Sequence, residues 1–103
     1  MTDIDRTIHE PVRLRILAIL SGVDLADFKF FVTTLGLSKG NLSSHMDKLE
    51  QAGYVEVQKG FNGKIPRTAY RMTDAGRKAL ADYWIALDQI RTACTEADGP
   101  TPS

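Results

Sequence analysis

Residues 38 to 73, SKGNLSSHMDKLEQAGYVEVQKGFNGKIPRTAYRMT, join an amphipathic helix directly to a basic hairpin, and that junction leaves few folds open. Ser38 suits an N-cap, its hydroxyl able to take a backbone N–H of the first turn, and Gly53 supplies a left-handed stop. Between them Leu42, Met46 and Leu49 recur at helical spacing as one apolar stripe, while Lys39, Asn41, Ser44, His45 and Lys48 lie largely off it. One face is core; the other offers hydrogen bonds. Tyr54 to Lys59 then alternates with Val55 and Val57 on one side, and Thr68 to Met72 puts Tyr70 and Met72 on one side, which is strand periodicity on both arms. The connection FNGKIPR holds the turn signal Asn62-Gly63 and the flanking cations Lys59, Lys64 and Arg67. A helix of this kind followed by such a hairpin is the core of a winged helix.

The remaining elements complete that pattern. Asp3 to about Ser21 has helical spacing through Ile4, Ile8, Val12, Ile16, Leu17 and Leu20, but Pro11 interrupts it. A short leading turn followed by the main helix resolves the conflict, with Pro11 near the first helical position, where its missing N–H costs nothing. Val23 to Ala26 is expected as a short strand at the edge of the hairpin, and Phe28 to Leu35 as the first helix of a helix-turn-helix, ended by Gly36. Phe28, Phe31 and Val32 can face the core, whereas Phe30 is left for the surface or a partner. The last helix opens with Thr73 as N-cap and Asp74 in its first turn. Its residues Leu80, Tyr83, Leu87, Ile90 and Cys94 follow a three-four spacing, a short coiled-coil seam that packs either on its own domain or on a second copy. Trp84 and Ala86 widen that apolar face beyond what a single contact needs.

The predicted fold class is α+β and mostly helical: a winged helix-turn-helix with a two- to three-stranded hairpin wing and a long C-terminal dimerisation helix. Residues 1–94 form one domain, with the helix-turn-helix at 27–53, the wing at 54–72 and the last helix at 74–94. Residues 95–103, with Gly99, Pro100 and Pro102, read as a disordered tail.

The 103 residues carry zero formal net charge, so composition alone does not announce a polyanion partner. The distribution is more telling. Residues 38 to 71 hold six cations (Lys39, Lys48, Lys59, Lys64, Arg67 and Arg71) against three anions (Asp47, Glu50 and Glu56), leaving an equal negative excess on the remainder. A basic segment on an acidic scaffold suits a protein that meets polyanion with one face. Cys94 is the sole cysteine, which precludes an intramolecular disulfide, and it reads as a buried small hydrophobe. No apolar run reaches membrane-spanning length and the acidic N-terminus is unlike a signal peptide, so a cytoplasmic protein without membrane contact is expected.

Other chemistries find little support. His9 and His45 sit in different elements without an acidic partner set by spacing, so no catalytic constellation is specified and an enzyme is not expected. One cysteine and two scattered histidines do not make a metal site, and the glycines of KGFNGK lack the helix that a phosphate loop needs; no cofactor is expected.

The stretches Gly40 to His45, Leu49 to Val57, Pro66 to Thr73 with Gly76-Arg77, and upstream His9 to Leu17, resemble the small prokaryotic winged-helix DNA-binding regulators related to the MarR and ArsR groups. The likeness spans residues 8 to 92. One departure concerns Lys29, which lies where the family has a Thr or Ser opening the second helix, so the start of that helix stays open. The ArsR-type paired-cysteine motif is absent. The resemblance implies a homodimer on double-stranded DNA; closed symmetry then calls for an inverted-repeat operator, and room for an obstacle without an evident polymerase-recruiting domain favours repression over activation.

Under that reading Ser38, Lys39, Asn41, Ser43, Ser44, His45 and Lys48 face the major groove, and Lys59, Lys64 and Arg67 meet the backbone. No acidic residue occurs from Ser38 through Met46, which favours a groove-facing helix over an ordinary solvated one. His45 has a second reading as a satisfied histidine between helix and hairpin, and the wing cations as edge charges that deter sheet association. The dimer interface is expected to draw on Ile4, Ile8, Leu80, Tyr83, Trp84, Leu87, Ile90 and Cys94. An unidentified small-molecule effector would act at that seam, although its aromatics equally suit plain core packing. The rival from another class is a protein-interaction module using Phe30, Phe61 and the terminal-helix stripe.

Overall fold

Pro11 decides where the first helix begins. In the computed structural model, which describes residues 3–98, α1 runs Pro11–Leu20 with Pro11 in its first turn and Glu10 as an extended N-cap. The Glu10 carboxylate accepts the Val12 N–H at 3.0 Å and the Arg13 N–H at 2.8 Å. Ahead of it the chain turns, as expected, because Asp5 Oδ1 takes the N–H groups of Thr7 at 2.9 Å and Ile8 at 3.3 Å. That turn drives Ile8 into the core at 0% exposure. The hydroxyl of Tyr54 donates to the other Asp5 oxygen, tying the leading segment to the start of the hairpin.

Strand β1 is Ala26–Asp27, slightly later and shorter than the expected Val23 to Ala26, and α2 follows at once over Phe28–Leu35. Asp27 settles the open start: its side chain accepts the Phe30 N–H at 2.8 Å as an N-cap, so Lys29 lies in the first turn and opens nothing. Gly36, at φ 65°, closes the helix in the left-handed conformation that glycine adopts without steric cost. Phe31 is fully buried, Phe28 and Val32 are half-buried, and Phe30 is exposed. Helix α3, Lys39–Gln51, is capped by Ser38 and buries Leu42, Met46 and Leu49 almost completely. Each such side chain contributes about 2 kcal/mol by leaving water.

The wing is longer than its alternation suggested. β2, Val55–Asn62, and β3, Ile65–Met72, pair antiparallel from Val55↔Met72 out to Asn62↔Ile65. Only Gly63 and Lys64 remain in the loop, with Gly63 at φ 67° as the first central residue of a type II′ turn requires. β1 adds to the other edge of β3 through Ala26↔Tyr70 and Asp27↔Ala69, giving the order β1-β3-β2.

Thr73 caps α4, Asp74–Asp98, its Oγ1 accepting the Gly76 N–H at 2.9 Å and donating to the Gly53 carbonyl at 2.6 Å. The helix continues beyond the expected end at 94 through Asp98, so Thr95 to Asp98 are helical rather than tail; residues 99–103 lie outside the described residues. The apolar seam divides between two faces. Ile8, Leu80 and Tyr83 are buried in the domain's own core, and Ile4 and Leu87 pack against it, so these expected dimer residues are covered within one chain. Trp84, Ile85 and Ile90 remain 48%, 55% and 40% exposed, and Cys94 is exposed rather than buried because it lies past the part of α4 that the domain covers. Ile85 was hidden from a reading at three-four spacing because it falls off that seam.

Gly76 marks the tightest contact in the fold. A Cβ there would sit 2.3 Å from the Tyr54 carbonyl oxygen and 2.9 Å from Met72 Cγ. A backbone atom cannot step aside as a side chain can. Gly76→Ala is therefore expected to lower stability by about 3 kcal/mol, read by denaturant unfolding; a loss under 0.5 kcal/mol would contradict this packing.

Candidate nucleic-acid interface

Helix α3 exposes what its apolar stripe leaves over. Lys39, Asn41, Ser43, Ser44 and Lys48 are exposed, as their places off the apolar stripe predict. Ser38 is also exposed, but its Oγ is committed to the Asn41 N–H at 3.1 Å. Asp47 and Glu50 share the exposed surface and were not among the expected contacts. The N-terminal half of the face is thus free of anions, and the C-terminal half carries two.

His45 stands apart from this group. Only 17% of its side chain is exposed, and its Nδ1 lies 3.1 Å from Arg13 Nη1 and 3.4 Å from Glu10 Oε2. It is a satisfied histidine, but its partners are on α1 rather than on the hairpin, and so it is not presented with Asn41 and Ser44. Arg13 completes the clip, its Nε donating to the Thr7 carbonyl at 2.5 Å. Sequence reading missed Glu10 and Arg13 as positioning residues. Glutamate is a poor N-cap signal, and the approach of α1 to α3 is tertiary.

Burial acts to raise the Glu10 pKa, but N–H donation from Arg13 and Val12 and the Arg13 charge outweigh it and hold the carboxyl below its ordinary value. On the wing, Lys59, Lys64 and Arg67 are all exposed. Lys64 occupies the turn, whereas Arg67 lies nearer the base with its Nε 3.5 Å from Asp27 Oδ2. Phe61 and Ile65 near the tip are 73% and 59% exposed. An open groove of about 630 Å³ separates α3 from the inner face of the wing, lined by Ser43, Asp47, Glu50, Lys59 and Tyr70 among others. Burial first, then the charges of Asp47 and Glu50, push the Tyr70 hydroxyl above its usual pKa, so it stands uncharged beside the two carboxylates. The positive surface lies at the wing and at the start of α3.

Residues 12–91 match the family model described as a winged helix DNA-binding domain, and the chain belongs to that family. An uncharacterised protein of Methanocaldococcus jannaschii is 38% identical over 80 residues, which are 77% of this chain and 86% of that one. Among solved structures, a transcriptional regulator homologue from Pyrococcus horikoshii superposes with a TM-score of 0.80 at 30% identity, covering 87% of this chain and 89% of the other. YodB of Bacillus subtilis, solved after diamide treatment, shares the fold at a TM-score of 0.74 and 19% identity, over 84% and 85% of the two chains. The family is thus that of winged helix DNA-binding domains, and these solved structures share its fold. Among the described residues no helix is long and apolar enough to cross a membrane.

The Glu10 clip gives a pH prediction with a definite sign. A carboxyl whose folded pKa is depressed stabilises the fold above its unfolded value, here 4.5, and that contribution is lost as pH falls through the folded value. Glu10→Gln should flatten the fall of stability below pH 4.5, measured by urea unfolding across the acid range. A variant curve parallel to wild type would show that the carboxylate is not so held.

Proposed function

We propose that this protein is a homodimeric, sequence-specific, double-stranded DNA-binding transcriptional regulator. Helix α3 enters the major groove and the wing lies on the flanking backbone. The observation that carries the reading is the pairing of two surfaces: short neutral donors and acceptors on the anion-free start of α3, and three exposed cations on the adjoining wing. Side chains of the first kind read base edges, and those of the second contact phosphate. Family membership supports DNA as the partner and the absence of catalysis. Repression is the mode favoured, because the described elements form the winged helix and its terminal helix, and occupying DNA is the action such a unit supplies. The cytoplasm is the compartment where that action has its substrate.

Dimerisation is supported by Trp84, Ile85 and Ile90, three large apolar side chains left exposed on α4. A twofold axis beside α4 relates two α3 helices, which must lie about 34 Å apart to enter successive major grooves on one DNA face. The operator is then an inverted repeat. Ile85→Asp tests assembly better than a change at Leu87, which packs against the core. The substitution should yield a folded monomer by sedimentation, with operator affinity lowered at least tenfold; an unchanged dimer would remove this face from the interface.

Selection of bound duplexes from a random pool tests the function itself and should return an inverted repeat. Asn41→Ala should then cost about 1–3 kcal/mol of discrimination at one base step. Lys64→Ala should weaken all sequences alike and lower the magnitude of the log K versus log salt slope by about 0.9 per contact. Failure to enrich any duplex, with retention of a protein partner through Phe30 and Phe61, is the outcome that would favour an interaction module.

A further inference from the structure

We infer that a cleft between the wing and the start of α2 is a seat for one DNA-backbone phosphate, completed by Lys29. The inference rests on the DNA-binding reading and adds a site to it. The cleft, about 230 Å³, lies where three elements converge: Lys29 comes from the first turn of α2, Lys39 from the first turn of α3, and Arg67 from β3. Ile65 and Pro66 supply apolar wall. Three cations around a small, partly apolar cleft match a sugar-phosphate unit, whose anionic oxygens need donors and whose deoxyribose needs a hydrocarbon surface.

Asp27 is the single carboxylate on the cleft's lining, and it is occupied. One oxygen caps α2 through the Phe30 N–H at 2.8 Å, and the other faces Arg67 Nε at 3.5 Å. That ion pair uses one of the five N–H donors of the guanidinium, and the four terminal ones have no partner among the described residues. Asp27 therefore orients Arg67 without neutralising its fork. Lys29 has no ion pair among the described residues, its side chain is exposed, and no core contact requires it. Its place on α2 adds a cation to a cleft that shares Phe28 and Thr68 with the neighbouring groove, where Asp47 and Glu50 outnumber the one cation, Lys59. The two clefts flanking the wing inner face thus differ in sign. The backbone strand is directed into the one bearing Lys29.

The test uses the full-length protein and its selected operator. Lys29→Ala should melt like wild type, keep the base preference, and lower the magnitude of the log K versus log salt slope by about 0.9 per bound protomer, as should Lys39→Ala. Lys29→Arg should restore the slope, and Lys78→Ala, on exposed α4, should leave it unchanged. A scan of single uncharged methylphosphonate linkages should find one position per half-site that weakens wild type but not Lys29→Ala. If wild type binds duplex and Lys29→Ala keeps the full slope, or no linkage loses its effect in that variant, the cleft is not a phosphate seat and the wider reading stands. If wild type binds no duplex, both fall together.

Discussion

Everything outward-facing in this fold depends on how α3 is seated. Leu42, Met46 and Leu49 are 0%, 1% and 0% exposed, so the helix has no rotational freedom about its axis without bringing at least one of them into water. Each exposure costs about 2 kcal/mol. The same seating aligns Asn41 and Ser44 outward and sets the wing beside them, because the chain passes from Gly53 straight into β2. Gly53 needs its φ of 80° for that reversal, and Tyr54 then anchors the arm through Asp5. The Asp5 hydrogen bond, then burial and the Asp5 charge, push the Tyr54 hydroxyl up to about 12. The tie stabilises the fold below the ordinary tyrosine value of 10.0 and is lost only as pH rises toward 12, so it is intact throughout the neutral range.

The elements whose signals are local were legible from sequence. Ser38, Gly36 and Thr73 act as caps where their types and positions placed them, and Pro11 begins α1 rather than breaking it. The start of α2 is signalled one residue before Phe28, since Asp27 is a good N-cap in its own right. The wing's outer half was under-read because Gly60 and Asn62 break the apolar alternation, while the pairing itself needs only backbone groups. These continue to Asn62↔Ile65 regardless of side-chain type.

What sequence could not distinguish was which partner an apolar residue meets. Leu80, Tyr83 and Leu87 have the spacing of an intermolecular seam, yet that spacing records only that one side of α4 is covered. Here the cover is the chain's own core, with Ile8 delivered to it by the Asp5 turn and Tyr83 fixed by a 2.9 Å hydrogen bond to His9 Nδ1. A large apolar residue that the core leaves uncovered is the neighbour that breaks the pattern, Ile85. His45 shows the same limit for polar groups. Its position on α3 is next to the exposed Ser44, and only the approach of α1 reveals its partners.

Those partners make incompatible demands on one nitrogen. Arg13 Nη1 can only donate, so at 3.1 Å His45 Nδ1 must accept, and the imidazole is then neutral with its proton on Nε2. Glu10 Oε2 can only accept, so at 3.4 Å from the same nitrogen it would require the opposite proton placement. The shorter bond and the cation beside it favour the first arrangement, in which Arg13, 3.9 Å from Glu10, lies between two acceptors and offsets their repulsion. Glu10 meanwhile draws its hydrogen bonds from the α1 backbone. The guanidinium of Arg13, bonded at once to the leading turn and to α3, is therefore the group that holds the start of α1 against the helix that exposes Asn41 and Ser44.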